Sequence, residues 1–123
     1  MKNIAVALLF FSTSAIADEC KFKTPNAIVC TTAEAAAYSY QAFGFDIRRT
    51  NIDYNRKMLQ DSGCGRTYAN TYKTDDVRGY VEGKLATPSG WVRVRQIIIN
   101  DTGAGFVASE YLSCKHQEDK ARN

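Results

Sequence analysis

Residues 90–112 read GWVRVRQIIINDTGAGFVASEYL, and the fold turns on how this stretch is parsed. From Val92 to Arg95 apolar and polar residues alternate. In a strand that alternation puts Val92 and Val94 on one face and Trp91, Arg93 and Arg95 on the other. The run Asn-Asp-Thr-Gly-Ala-Gly at 100–105 reads as a turn, and a second short strand follows it, closing in Ser-Glu-Tyr-Leu. The pattern predicts one corner of a small β-barrel. Its valines would line the wall. Its other face would present an indole beside two guanidinium groups, a surface suited to an acidic or aromatic partner.

Working outward, short β-type runs at 67–72, 77–85, 91–99 and 105–112 are separated by turn signals at Asp75-Asp76, Pro88-Ser89-Gly90 and 100–105. Such punctuation argues for a barrel or small sandwich. Upstream the period changes. Thr31-Thr32-Ala33-Glu34 fits a capping box with Thr31 as the cap, and Ala33, Ala36, Tyr40 and Phe43 recur at helical spacing. Gly44 is a natural stop, because glycine takes the left-handed conformation at little cost. Between 45 and 61, Ile47, Tyr54, Met58 and Leu59 fit either a second helix or short strands. Ser62-Gly63-Cys64-Gly65 reads as a turn. With no repeat and no linker, residues 18–123 are expected to form one domain, a helical extension over 18–57 joined to a β-barrel over 58–114.

The first residues carry the marks of a secretory signal. Lys2 precedes an unbroken apolar run at 4–11, and Ala15-Ile16-Ala17 supplies the small residues of a cleavage site. The run is too short to span a bilayer as a helix. Cleavage is expected after Ala17, leaving residues 1–17 as the signal peptide and an exported, periplasmic or secreted chain with no stable membrane insertion. Sixteen Lys and Arg against 13 Asp and Glu give a formal net charge of +3, and the basic residues are scattered. That balance argues against a nucleic-acid partner. All 4 cysteines, Cys20, Cys30, Cys64 and Cys114, lie beyond the expected cleavage point. An even count in a small exported chain predicts two disulfides, and the spacing lacks the close ligand pairs of a metal site. Three connectivities are open to the sequence; the pairing expected here is Cys20–Cys30 with Cys64–Cys114.

Gly90-Trp91-Val92-Arg93-Val94 followed by Gly105-Phe106-Val107-Ala108-Ser109-Glu110-Tyr111-Leu112 resembles the second half of bacterial SH3-like (SH3b) domains. The Asn-Val-Arg-Ser-Gly-Pro entry of that family is absent, and only Asp61-Ser62-Gly63 stands where its turn would be. The resemblance implies an SH3-like antiparallel β-barrel, here with the N-terminal helix packed on it, an α+β fold overall. It implies groove aromatics at Trp91 and Tyr111, with Tyr68 and Tyr72 as loop contributors. Together with the strand reading, this makes Trp91, Arg93, Arg95 and Tyr111 the expected ligand-binding set.

Catalytic chemistry finds little support. His116 is the only histidine and falls in the polar tail, a poor position for a general base. Without it, Ser-His and Cys-His nucleophile systems have no base. Glu82, Asp75, Asp76 and Glu110 are the carboxylates that could pair in space. The Gly-rich run 103–108 matches a loose dinucleotide fingerprint, but a strand rather than a helix is expected to follow it. Asn100-Asp101-Thr102 is a formal glycosylation sequon. The function expected is that of an exported periplasmic binding or adaptor protein, non-catalytic and without cofactor, contacting an envelope protein or peptidoglycan. The alternatives are an inhibitor or immunity protein of a cell-envelope enzyme, or a part of a secretion or conjugation assembly.

Overall fold

The computed structural model describes residues 17–67 and 70–115. The signal run, Tyr68 and His116 lie outside the described residues. Strands β1 (Asp18–Phe22) and β2 (Ile28–Cys30) come first, followed by helices α1 (Ala33–Phe43), α2 (Ile47–Thr50) and α3 (Asp53–Asp61). The chain continues through β3 (Cys64–Arg66), β4 (Val77–Thr87), β5 (Gly90–Ile99) and β6 (Gly103–Ala108), a 3₁₀ turn over Ser109–Tyr111, and β7 (Leu112–Lys115). The strands form a single sheet in the order β3-β2-β6-β5-β4-β1-β7, and every pairing is antiparallel. The architecture is therefore α+β: a curled antiparallel half-barrel, three helices and two disulfides. The segment expected to be a helical extension contributes two strands, β1 between β4 and β7 and β2 between β3 and β6. Residues 70–72, expected to continue the strand over 67–72, lie instead in a turn over 70–74, closed by Thr74 N–H donating to Thr71 O at 2.9 Å.

Two tight turns set the register of β4–β6. Thr87 Oγ1 donates to Gly90 O at 2.6 Å across Pro88-Ser89. Asn100 and Asp101 both have positive φ, 53° and 60°, and Thr102 N–H donates to Ile99 O at 3.1 Å. This is the mirror-image turn whose twist matches that of the strands it joins, and Asn and Asp tolerate it better than most residues. Register then places Val94 opposite Ala108 and Arg95 opposite Val107. Val92, Val94 and Ala108 are buried on one face, and Ile97, Gly105 and Val107 on the other. β5 thus buries one face along its first half, at Val92 and Val94, and the opposite face at Ile97 in its second half, where Gln96 is exposed.

Helix α1 starts one residue later than the capping pattern suggests. Thr32, not Thr31, is the cap, its side chain accepting from Ala35 N–H at 3.1 Å. Gly44 ends the helix at φ 54°, its N–H donating to Tyr40 O at 2.7 Å. Ala36, Ala37 and Phe43 join one core with Ile28, Val92 and Val94. The small alanines let the helix backbone approach closely.

The disulfides are Cys20–Cys114 and Cys30–Cys64, which corrects the expected Cys20–Cys30 and Cys64–Cys114. The reason is register. Cys20 faces Cys114 across β1–β7, and Cys30 faces Cys64 across β2–β3, each with Cα atoms 4.0 Å apart. Such close opposition is the mark of a non-hydrogen-bonded antiparallel pair. In the chain-entropy description the 94-residue and 34-residue separations stabilise by about 4.7 and about 3.8 kcal/mol. Peptide mapping without reduction should link Cys20 to Cys114 and Cys30 to Cys64. In chemical denaturation, Cys20→Ser with Cys114→Ser should cost roughly 2–5 kcal/mol, and more than the Cys30→Ser, Cys64→Ser pair.

Candidate binding surface

The four residues expected to bind a ligand divide between surface and interior. Trp91 lies at the start of β5, opposite Ala86 of β4, and is 70% exposed. Arg93, opposite Lys84, is also exposed and pairs with Glu110 at 3.2 Å. The alternation that puts Trp91 and Arg93 on one face of the hairpin holds, and Ala86 and Lys84 share that face through the register. A wide indole opposite a methyl group leaves the ring with little to pack on.

Arg95 follows on the same face but points into the fold. Its Nη2 donates to Asp18 Oδ2, its Nε donates to Tyr80 O at 3.0 Å, and the two side chains are only 15% and 8% exposed. Two features make room for it. A β-bulge puts Tyr80 and Val81 opposite the single residue Gln96, which brings the Tyr80 carbonyl to the guanidinium. Gly79 has no side chain; a Cβ there would lie 2.7 Å from Arg95 Nε and 2.9 Å from Cys20 Sγ. Arg95 is therefore corrected from a ligand contact to a buried structural cation.

Tyr111 is corrected in the same way. It is 1% exposed, and its hydroxyl donates to Gly44 O. Its ring meets those of Tyr40 and Phe45 edge-on at centroid distances of 5.3 and 5.2 Å. Burial, then the neighbouring Tyr40, raise its phenol pKa far above the ordinary value, so it stays neutral. The 3₁₀ turn carries this ring inward from the sheet end. Tyr72 is half-buried, with Lys73 Nζ 5.8 Å from its ring centroid.

The carboxylates singled out in the sequence each meet a different partner. Glu82 accepts from Ser109 Oγ at 2.5 Å and Glu110 pairs with Arg93; Asp75 accepts from Asn100 Nδ2 at 3.1 Å and Asp76 pairs with Arg78 at 3.3 Å. Asn100 of the sequon is engaged at both ends of its amide, since Oδ1 accepts from Asp76 N–H at 2.8 Å. Among the described residues no cluster of three or more His, Cys, Asp or Glu is arranged to hold a metal ion. The exposed set that remains is Trp91, Arg93 and Lys84 on the β4–β5 hairpin, edged by Glu82, Ser109 and Glu110.

Removal of one member of the interior pair should be expensive. Arg95→Met leaves the Asp18 carboxylate enclosed, and denaturation should report a loss of roughly 3–5 kcal/mol. Tyr111→Phe should cost about 1–2 kcal/mol through the bond to Gly44, whereas Trp91→Ala should stay within roughly 0.5 kcal/mol of the parent. No family model, curated protein or solved structure matches the chain.

Proposed function

We propose that the protein is an exported, non-catalytic binding module that grips an envelope protein or peptidoglycan through the β4–β5 hairpin. The observation that carries this reading is the exposure of Trp91, the only tryptophan, beside Arg93 and Lys84. A tryptophan buries on the order of 200 Å² when covered. Leaving most of it in water forgoes roughly 3 kcal/mol, which a partner that covers the ring would recover. Tryptophan and arginine are also the side chains most enriched where binding energy concentrates. The flanking cations suit a partner with carboxylates, which both acidic protein surfaces and peptidoglycan stems offer.

Export to an oxidising compartment belongs to the same proposal. Two disulfides support it, as does the leader-like run at 4–11, and among the described residues no helix is long and apolar enough to cross a membrane. An SH3-like barrel belongs to the same proposal, and rests on the resemblance of the Gly90-Trp91 strand and the glycine-aromatic-valine strand after it. The inhibitor reading differs only in the partner, a single envelope enzyme, and would use the same exposed ring.

Purified peptidoglycan and immobilised envelope extract should retain the oxidised protein, and Trp91→Ala should cut that retention by about tenfold or more while leaving the thermal midpoint in place. Arg93→Glu should weaken it through charge, and the loss should shrink as salt is raised. Equal retention of parent and Trp91→Ala would remove the hairpin from the binding surface.

A further inference from the structure

The far edge of the sheet offers a second, chemically different surface. Strand β3 is the terminal strand, with β2 on one side only. Thr31 N–H donates to Gly63 O and Thr67 N–H donates to Ala27 O, so the hydrogen-bonded pairs of this ladder fall at 31/63, 29/65 and 27/67. Cys64 and Arg66 occupy the alternate positions. Among the described residues their backbone N–H and C=O groups point away from β2; Cys64 is buried and Arg66 half-buried, so the accessible edge groups are those of Arg66.

A hollow lies on each side of this short strand, and both are lined by Gly65, Arg66 and Thr67. The one toward α3 holds about 270 Å³ and is completed by Arg56, Leu59 and Gln60, with no acidic side chain in its wall. Arg66 forms no ion pair among the described residues; its Nη1 bonds run to two neutral oxygens, Asn51 Oδ1 and Thr50 Oγ1. Burial and the nearby Arg56 charge lower its pKa, the sign of cations gathered without a matching anion. Among the described residues the ion pair of Arg56 is with the exposed Asp53, at 3.4 Å. The second hollow, about 610 Å³, is lined by Val29, Ile99 and Ala104, which favour an apolar side chain, and by Asp75, which repels a carboxylate beside the shared Arg66.

We propose that β3 accepts an extended peptide as an added strand, one that alternates carboxylate with apolar side chains. Successive side chains of a strand point to opposite faces, so an alternating peptide on this edge would deliver its carboxylates to Arg56 and Arg66 and its apolar groups to the second hollow. The main chain would bond to the N–H and C=O of Arg66. Charge complementarity selects the acidic sequence over a basic one. The site is independent of the Trp91 hairpin: β2, β6 and β5 separate β3 from β4 in the sheet.

The test uses the oxidised protein with a capped octapeptide alternating Glu and Val, a Lys–Val counterpart, and a block peptide of the same Glu and Val content. Binding read by fluorescence anisotropy should favour the Glu–Val peptide by about tenfold or more over both controls. Amide chemical shifts should move at Arg66. Gly65→Leu and Arg56→Glu should each weaken binding by about tenfold or more with the thermal midpoint kept, since a Cβ at Gly65 meets nothing within 4 Å and Arg56 is exposed. Trp91→Ala should leave this binding unchanged, which separates it from the hairpin surface. Absence of binding, equal binding of the Lys–Val or block peptide, or shifts confined to β7 or the hairpin would overturn the proposal.

Discussion

A sheet that ends in a strand of three residues on one side and four on the other cannot rely on its ladders to hold those ends. Each terminal strand has a single neighbour, and so short a ladder gains little against the entropy of ordering the chain. The protein meets this constraint covalently. Cys30–Cys64 ties β3 to β2, and Cys20–Cys114 ties β7 to β1. Both bonds sit at directly opposed, closely spaced positions, so they reinforce the register the sheet already has. The second also joins the first described strand to the last, which fixes β1 within the curl. Without that strand the inner face of β4 and β5 would lie open.

The interior of the curl then depends on where β1 is held. Asp18 lies opposite Gly79 and Cys20 opposite Val77, so the Asp18 carboxylate reaches Arg95 over a residue that has no side chain. The bulge after Gly79 shifts the facing of β4 by one residue, so Val77 is buried before it while Leu85 meets Val92 after it. One strand thereby contributes to the core from both of its faces. A buried ion pair of this kind adds little net stability compared with apolar packing, but loss of one partner is costly. A slip of one residue in β1 would part the Asp18 carboxylate from the Arg95 guanidinium.

The parts legible in the sequence were those governed by local physics. The valine alternation in β5 and the Gly44 stop follow from period or backbone preference and stand where those rules put them, whereas the turn expected over 100–105 contracts to Asn100-Asp101 and β6 begins at Gly103. The parts that were not legible depend on partners far along the chain. β1 and β2 are too short for periodicity to show, and cysteine spacing carries no information about which strands adjoin. Arg95 follows the same alternation as Trp91 and Arg93, yet it is interior because β1, 77 residues away, supplies its carboxylate. Tyr111 reads as a groove aromatic until a 3₁₀ turn carries it onto the end of α1. The hollows beside β3 left no trace in the sequence, since Arg56 and Arg66 look like ordinary solvated cations until the fold brings them to one edge.

The two aromatic residues differ in how much of their interaction energy the fold itself uses. Tyr111 is enclosed, its hydroxyl bonded and its ring stacked edge-on between two others, so its contribution is already made within the fold. Trp91 has the larger apolar surface and the smaller return, with only Ala86 opposite it in the ladder. A hairpin needs no tryptophan to hold its register there; a threonine or valine would satisfy the same pleat at no loss of packing. The ring therefore represents interaction energy not yet used by the chain itself. Its placement on a long two-stranded arm, clear of the stapled edges, lets that energy go to a partner without disturbing the core.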